Sequence, residues 1–123
     1  MQGRSRVLAI EDDPDLGVLY ESFLGAEGHE VRVAQDAREG LRMMRDPPDV
    51  VLLDLMLPGM DGYELMREMR RRPDLKDIPV IVVSASVPPG RHRIPGADAV
   101  VHKPFEFDGL LRTIDGLSHH QAA

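Results

Sequence analysis

The chain has 123 residues, 42% of them hydrophobic, a formal net charge of -6 and no cysteine. That length suits one compact domain with a real core, and the missing cysteines exclude disulfides, thiol catalysis and thiolate metal sites. The acidic balance argues against a nucleic-acid-binding surface spread over the domain, and neither a membrane-length apolar run nor a charged-then-apolar leader is visible.

In chain order, residues 6–11 read as a buried strand running into Glu11-Asp12-Asp13. Asp13 can cap a helix with Pro14 at its first position, and Leu16, Leu19, Tyr20, Phe23 and Leu24 recur at helical spacing. Gly28 stops that helix. Residues 30–34 read as a short strand, after which Asp36 can cap a helix carrying Ala37, Leu41 and Met44, ended by Pro47-Pro48. Residues 49–54 form a third strand closing in Asp54, and a loop with Pro58-Gly59 leads to a helix carrying Tyr63, Met66 and Met69. Pro73 ends it, and Arg70-Arg71-Arg72 read as its solvated last turn, where cations complement the helix dipole. Residues 79–84 and 98–102 form the last two strands, and a helix after Pro104 carries Phe107, Leu110, Leu111 and Ile114 on one face.

The strands are continuous apolar runs, which means burial on both faces and a parallel sheet covered by helices. Right-handed crossovers then make a doubly wound α/β sandwich. One connection breaks the rhythm. Residues 86–96 hold three prolines, two glycines and only two large apolar residues. The fourth helix should therefore be missing or reduced to about one turn. The segment 87–95 is expected to be an irregular, mobile loop that answers a change of charge on Asp54. We expect a single domain over 1–123, with a core at 5–117, a frayed tail at 118–123 and a cytoplasmic location.

The strand-like runs end in chemistry. Glu11 and Asp12, then Asp54, then Ser84, then Lys103 close four of them. In a parallel sheet those ends share one edge, where ligands bind in open α/β folds. Three neighbouring carboxylates repel one another, and a hard divalent cation such as Mg2+ removes the problem. Lys103, one of two lysines in the chain, can reach a carboxylate or phosphoryl oxygen, and the Ser84 hydroxyl can donate to one. Together these groups suit phosphoryl transfer with Asp54 as nucleophile. With the acids free to hydrate, Lys103→Ala is expected to cost little stability.

The ordered set Val7-Leu8-Ala9-Ile10-Glu11-Asp12-Asp13, Asp54-Leu55-Met56-Leu57-Pro58-Gly59-Met60-Asp61-Gly62, Val83-Ser84-Ala85, Gly96-Ala97-Asp98 and Lys103-Pro104-Phe105 resembles the receiver domain of bacterial two-component response regulators. The resemblance covers residues 5–117. It implies a flavodoxin-like five-stranded sheet in order 2-1-3-4-5 and phosphotransfer from a sensor histidine kinase or phosphotransfer protein. Signalling by contact with a downstream protein, without direct binding to nucleic acid or membrane, is expected. Such a protein catalyses only its own phosphorylation and dephosphorylation. By position, Asp54 is similar to the phosphoacceptor, and Asp12, Asp54 and the Met56 backbone carbonyl to the Mg2+ ligands, with Glu11 acting through water. Ser84 takes the place of the switch hydroxyl and Lys103 that of the phosphoryl-binding lysine, while Asp13 lies outside as a helix cap.

Two features depart from that pattern. Val100 stands where relatives commonly carry Tyr or Phe, and the interval from Ser84 to Lys103 is a few residues short. These leave an alternative, a phosphorylation-independent pseudo-receiver acting as an interaction module. No DNA-binding or enzymatic output domain is expected on the chain.

Overall fold

The structure, a computed structural model, describes residues 4–88 and 90–122, of which 118–122 are described in backbone only. Five parallel strands, β1 (Arg6–Ile10), β2 (Glu30–Ala34), β3 (Val50–Leu53), β4 (Val80–Ser84) and β5 (Ala99–His102), lie in the order β2-β1-β3-β4-β5. Four helices flank them: α1 (Pro14–Ala26), α2 (Ala37–Met43), α3 (Gly62–Arg71) and α4 (Phe107–Ala122). This is the flavodoxin-like, doubly wound sandwich that the uninterrupted apolar strands predict.

Alternate residues of the central strands feed two separate cores. Val7, Ala9, Leu52, Ile81 and Val83 face α1 and α4, packing with Tyr20, Leu24, Leu110 and Ile114. Leu8, Ile10, Val51, Leu53 and Val82 face the other way, toward α2 and α3, with Leu65, Met66 and Met69. Asp13 caps α1 through the Asp15 amide and Asp36 caps α2 through the Glu39 amide, as their positions predict. Asp61 caps α3 in a reciprocal capping box with Glu64.

The face of α1 differs from the sequence expectation. Tyr20 and Leu24 are buried, but Leu19 and Phe23 are exposed. The reason is Gly17, whose missing side chain lets the helix close on Val33. A Cβ there would stand 3.1 Å from a Val33 methyl. The helix meets the sheet along the line 17-20-24, which turns Leu19 and Phe23 outward. At the other end of the chain, α4 runs through Ala122. The segment 118–122 contains neither Gly nor Pro to break it.

Among the described residues, no helix joins β4 to β5. The connection is irregular but held. Val87 and Ile94 are buried in the core beside α3. Burial of one such side chain is worth about 1.5–3 kcal/mol, enough to dock a segment that has no regular hydrogen bonding. The Pro88 carbonyl accepts from the Arg91 amide and lies 3.1 Å from His102 Nε2. The largest clamp is Arg70. Its guanidinium donates to the carbonyls of Gly96, Lys76 and Ile78 and to the Asp98 carboxylate, at 2.7–3.2 Å. Arg70 is thus a staple across three segments, not the solvated helix end expected of it. Arg71 and Arg72 do pair at the surface, both with Glu68.

Glycine is required where α3 begins. A Cβ on Gly62 would lie 2.8 Å from Leu55 Cα and 3.0 Å from the Asp54 carbonyl oxygen. Both are backbone atoms that cannot swing away. Alanine gains at most about 1 kcal/mol over glycine in a helix, less than the roughly 1–3 kcal/mol cost of overpacking. Gly62→Ala should therefore lower stability in urea denaturation. Gly116→Ala in α4, where nothing lies within 4 Å of the added atom, should raise it by about 0.5–1 kcal/mol.

Candidate functional site

The C-terminal ends of β1, β3, β4 and β5 bring Glu11, Asp12, Asp54, Ser84 and Lys103 to one edge of the sheet. Asp54 follows β3 directly and is buried, at 7% exposure. One carboxylate oxygen, Oδ1, accepts from the Met56 amide at 3.0 Å and from Ser84 Oγ at 3.2 Å. The other, Oδ2, accepts from Lys103 Nζ at 2.9 Å. The same ammonium donates to Glu11 Oε1 at 2.9 Å. Glu11 Oε2 accepts from the Asp13 amide at 3.1 Å, which fixes the second acid against the start of α1. Asp13 itself points its carboxylate to the cap, outside the cluster.

The electrostatics follow from burial. Glu11 is only 2% exposed. Burial pushes its carboxyl above the ordinary carboxylate range, while the Lys103 ammonium and the Asp13 amide pull it back. Lys103 loses solvation as well, but its bonds to Asp54 and Glu11 outweigh that loss and raise its value. One ammonium thus bridges two buried carboxylates. The expectation that all three acids are simply hydrated does not hold for Glu11. Tyr20 lies beneath this edge, and its hydroxyl is held above the usual phenol range by burial first, then by the charges of Glu11 and Asp54.

Glu11, Asp12 and Asp54 each offer an oxygen within 4.8 Å of the others, with Asp12 exposed and the other two buried. Three hard oxygens at a solvent-facing edge suit a small divalent cation that keeps several waters. Met56 is tied to the same place by the hydrogen bond its backbone N–H donates to Asp54 Oδ1, and the residue is 66% exposed.

The sequence reading did not single out Ser86. Its hydroxyl lies 2.9 Å from Ser84 Oγ, and its amide donates to that oxygen at 3.2 Å. A hydroxyl chain therefore runs from Asp54 into the segment that replaces a helix. Two serines spaced by one residue at a strand end are a turn signal that could have found it. A second feature was equally unsuspected. A groove of about 450 Å³ opens beside the site, lined by Leu16, Leu19, Phe105 and Phe107 and by the site's own Lys103 and Ala85.

The profile for the response regulator receiver domain matches residues 7–115. The response regulator MprA of Mycobacterium leprae (strain TN) is 37% identical over 119 residues, covering 91% of this chain and 50% of that protein. The phosphate regulon transcriptional regulatory protein PhoB of Rhizobium meliloti (strain 1021) is 34% identical over 116 residues, with 91% and 51% covered. The chain thus spans about half the length of such relatives. A putative response regulator from Chloroflexus aurantiacus has a crystal structure with TM-score 0.85 and 29% identity, covering 95% of this chain and 99% of that one.

Proposed function

This chain belongs to the response regulator receiver domain family, and from that premise we propose that it accepts a phosphoryl group on Asp54 with the help of Mg2+. The observation that carries the reading is the shared ammonium, 2.9 Å from both Asp54 and Glu11. One cation thus stands beside a carboxylate that also meets the Ser84 hydroxyl. The donor is the phosphohistidine of a sensor kinase or phosphotransfer protein. An Asp54 oxygen attacks phosphorus, the P–N bond breaks, its electron pair returns to the imidazole, and an acyl phosphate forms.

Asp12, Asp54 and the Met56 carbonyl would hold the metal, with Glu11 one water further out. When bound, Mg2+ supplies charge neutralisation on the transferring group. Lys103 then exchanges its bond to Asp54 for a phosphoryl oxygen, and Ser84 donates to another. Because Ser84 also holds Ser86, that shift reaches the 85–98 segment. With Val100 at the usual aromatic position, output passes through this segment to a protein target. The apolar groove at Lys103, extended by exposed Leu19 and Phe23, fits the donor's approach. The protein works in the cytoplasm and its chemistry is directed at itself. The MprA- and PhoB-like relatives are longer, and any DNA-binding role belongs to the remainder of such proteins.

Incubation with acetyl phosphate and Mg2+, followed by intact mass measurement, tests this. One added phosphoryl group that requires Mg2+ is expected. An unmodified mass would favour the pseudo-receiver alternative, which Val100 and the absent helix suggest. Asp12→Ala should weaken Mg2+ binding by about tenfold or more, because few protein ligands hold the ion. Tryptophan is absent from the chain, so isothermal titration is the suitable readout.

A further inference from the structure

The irregular connection between β4 and β5 uncovers one flank of α3. Tyr63, Arg67 and Arg71 stand along it at four-residue spacing, all exposed. Between this flank and the connection lies a groove of about 740 Å³. Its opposite wall is Pro95 and Gly96, with Arg91 at the rim, and buried Met66 forms its floor. Among the described residues, four arginines line it, Arg67, Arg70, Arg71 and Arg91, and no Asp or Glu does. The domain as a whole carries 21 acidic and 15 basic residues. Positive charge is therefore concentrated here against the trend of the chain.

We propose that this groove between α3 and the 85–98 segment docks an acidic, amphipathic helix from a partner protein. The charge requires an acidic occupant. Guanidinium groups pair with carboxylates through two parallel bonds, which suits an acidic peptide face. The apolar strip of Tyr63, Met66 and Pro95 requires that the occupant also bring hydrophobic side chains. Ten residues of α3 span about 15 Å, which matches two to three turns of a helix lying alongside. A bare phosphate-bearing ligand fits less well, because it would leave the apolar strip of Tyr63, Met66 and Pro95 uncovered. Arg70 is committed to main-chain carbonyls. Arg71, itself exposed, holds only Glu68 three residues away, a surface interaction of small value that can be exchanged. Arg67, and Arg91 with only its Nε bonded to the Arg93 carbonyl, remain as the principal contacts.

The test needs neither Mg2+ nor a phosphodonor, so its result is separate from the Asp54 assignment. A fluorescein-labelled 12-residue peptide with Glu on one helical face and Leu and Phe on the other is titrated by anisotropy. Binding is expected, weakening as salt is raised. The double variant Arg67→Glu/Arg91→Glu should bind about tenfold more weakly or worse. Arg38→Glu, on exposed α2 surface, should bind as wild type does. Unchanged thermal midpoints show that the variants are folded. The proposal is overturned by no binding at about 1 mM peptide, by equal binding to the double variant, or by equal binding of a peptide with Lys for Glu. A peptide with Ala for Leu and Phe that binds as tightly would make this a plain anion site, which also overturns it. So would self-association of the chain, lost in the double variant.

Discussion

Asp54→Asn should carry no phosphoryl group after incubation with acetyl phosphate and Mg2+, while wild type gains one. The amide is nearly the same size as the carboxylate, so the bonds from the Met56 amide and Ser84 Oγ to Oδ1 can persist. What it lacks is an anionic oxygen able to form an acyl phosphate. The fold should survive, since the amide relieves one charge among three clustered acids. Lys103 keeps Glu11 as its partner. Intact mass gives the first answer and peptide mapping the second. Stable modification of the variant at any other residue would remove Asp54 from its assigned role.

Lys103→Ala is expected to cost about 1–3 kcal/mol of apo stability at neutral pH. Breaking a fully buried pair costs about 3–5 kcal/mol, and the 22% exposure of the Lys103 side chain reduces that. The pH dependence identifies the cause. In the variant, Glu11 keeps the burial that raises its carboxyl and loses the ammonium that lowers it. A carboxyl raised in the folded state binds more protons folded than unfolded. The variant should therefore gain stability as pH falls from 7 toward the ordinary Glu range of about 4.3, closing the gap to wild type. Glu11→Gln in the same background should close it at neutral pH. In wild type, the raised lysine contributes fully below about 10.4 and loses its contribution only as pH rises through its folded value. Urea midpoints across pH, for wild type and both variants, read all of this. A constant deficit from pH 4 to 8 would mean that Lys103 acts by packing alone.

The fold was legible wherever the determinants are local. Continuous runs such as Val50-Val51-Leu52-Leu53 can only be doubly covered strands, and the prolines and glycines of 86–96 forbid a helix by covalent geometry. The clustering of Glu11, Asp12, Asp54, Ser84 and Lys103 was legible for a related reason. Parallel strands put their ends together, so residues far apart in sequence become neighbours by topology. What escaped depends on distances no periodicity encodes. The outward turn of Leu19 and Phe23 follows from one close approach, Gly17 on Val33. The sequence puts Lys103 within reach of a carboxylate but does not show that its partner 92 positions away, Glu11, is buried and needs it. The Arg70 acceptors come from two segments beyond its own helix, and a run of three arginines at a helix end gives no hint that one of them reaches both.

That arginine has a consequence for reading other chains of this architecture. A guanidinium can fork between the Gly96 and Ile78 carbonyls, whereas an ammonium offers no such planar pair of edges. Position 70 and the length of the β4–β5 connection should then vary together across descendants of one ancestor. Shortening the connection before the arginine arose would leave carbonyls without donors, and losing the arginine afterwards would strand them again. The order of the two changes is thereby constrained, with the arginine expected first. Arginine at this position should be frequent where the connection is short and unremarkable where a full helix fills it.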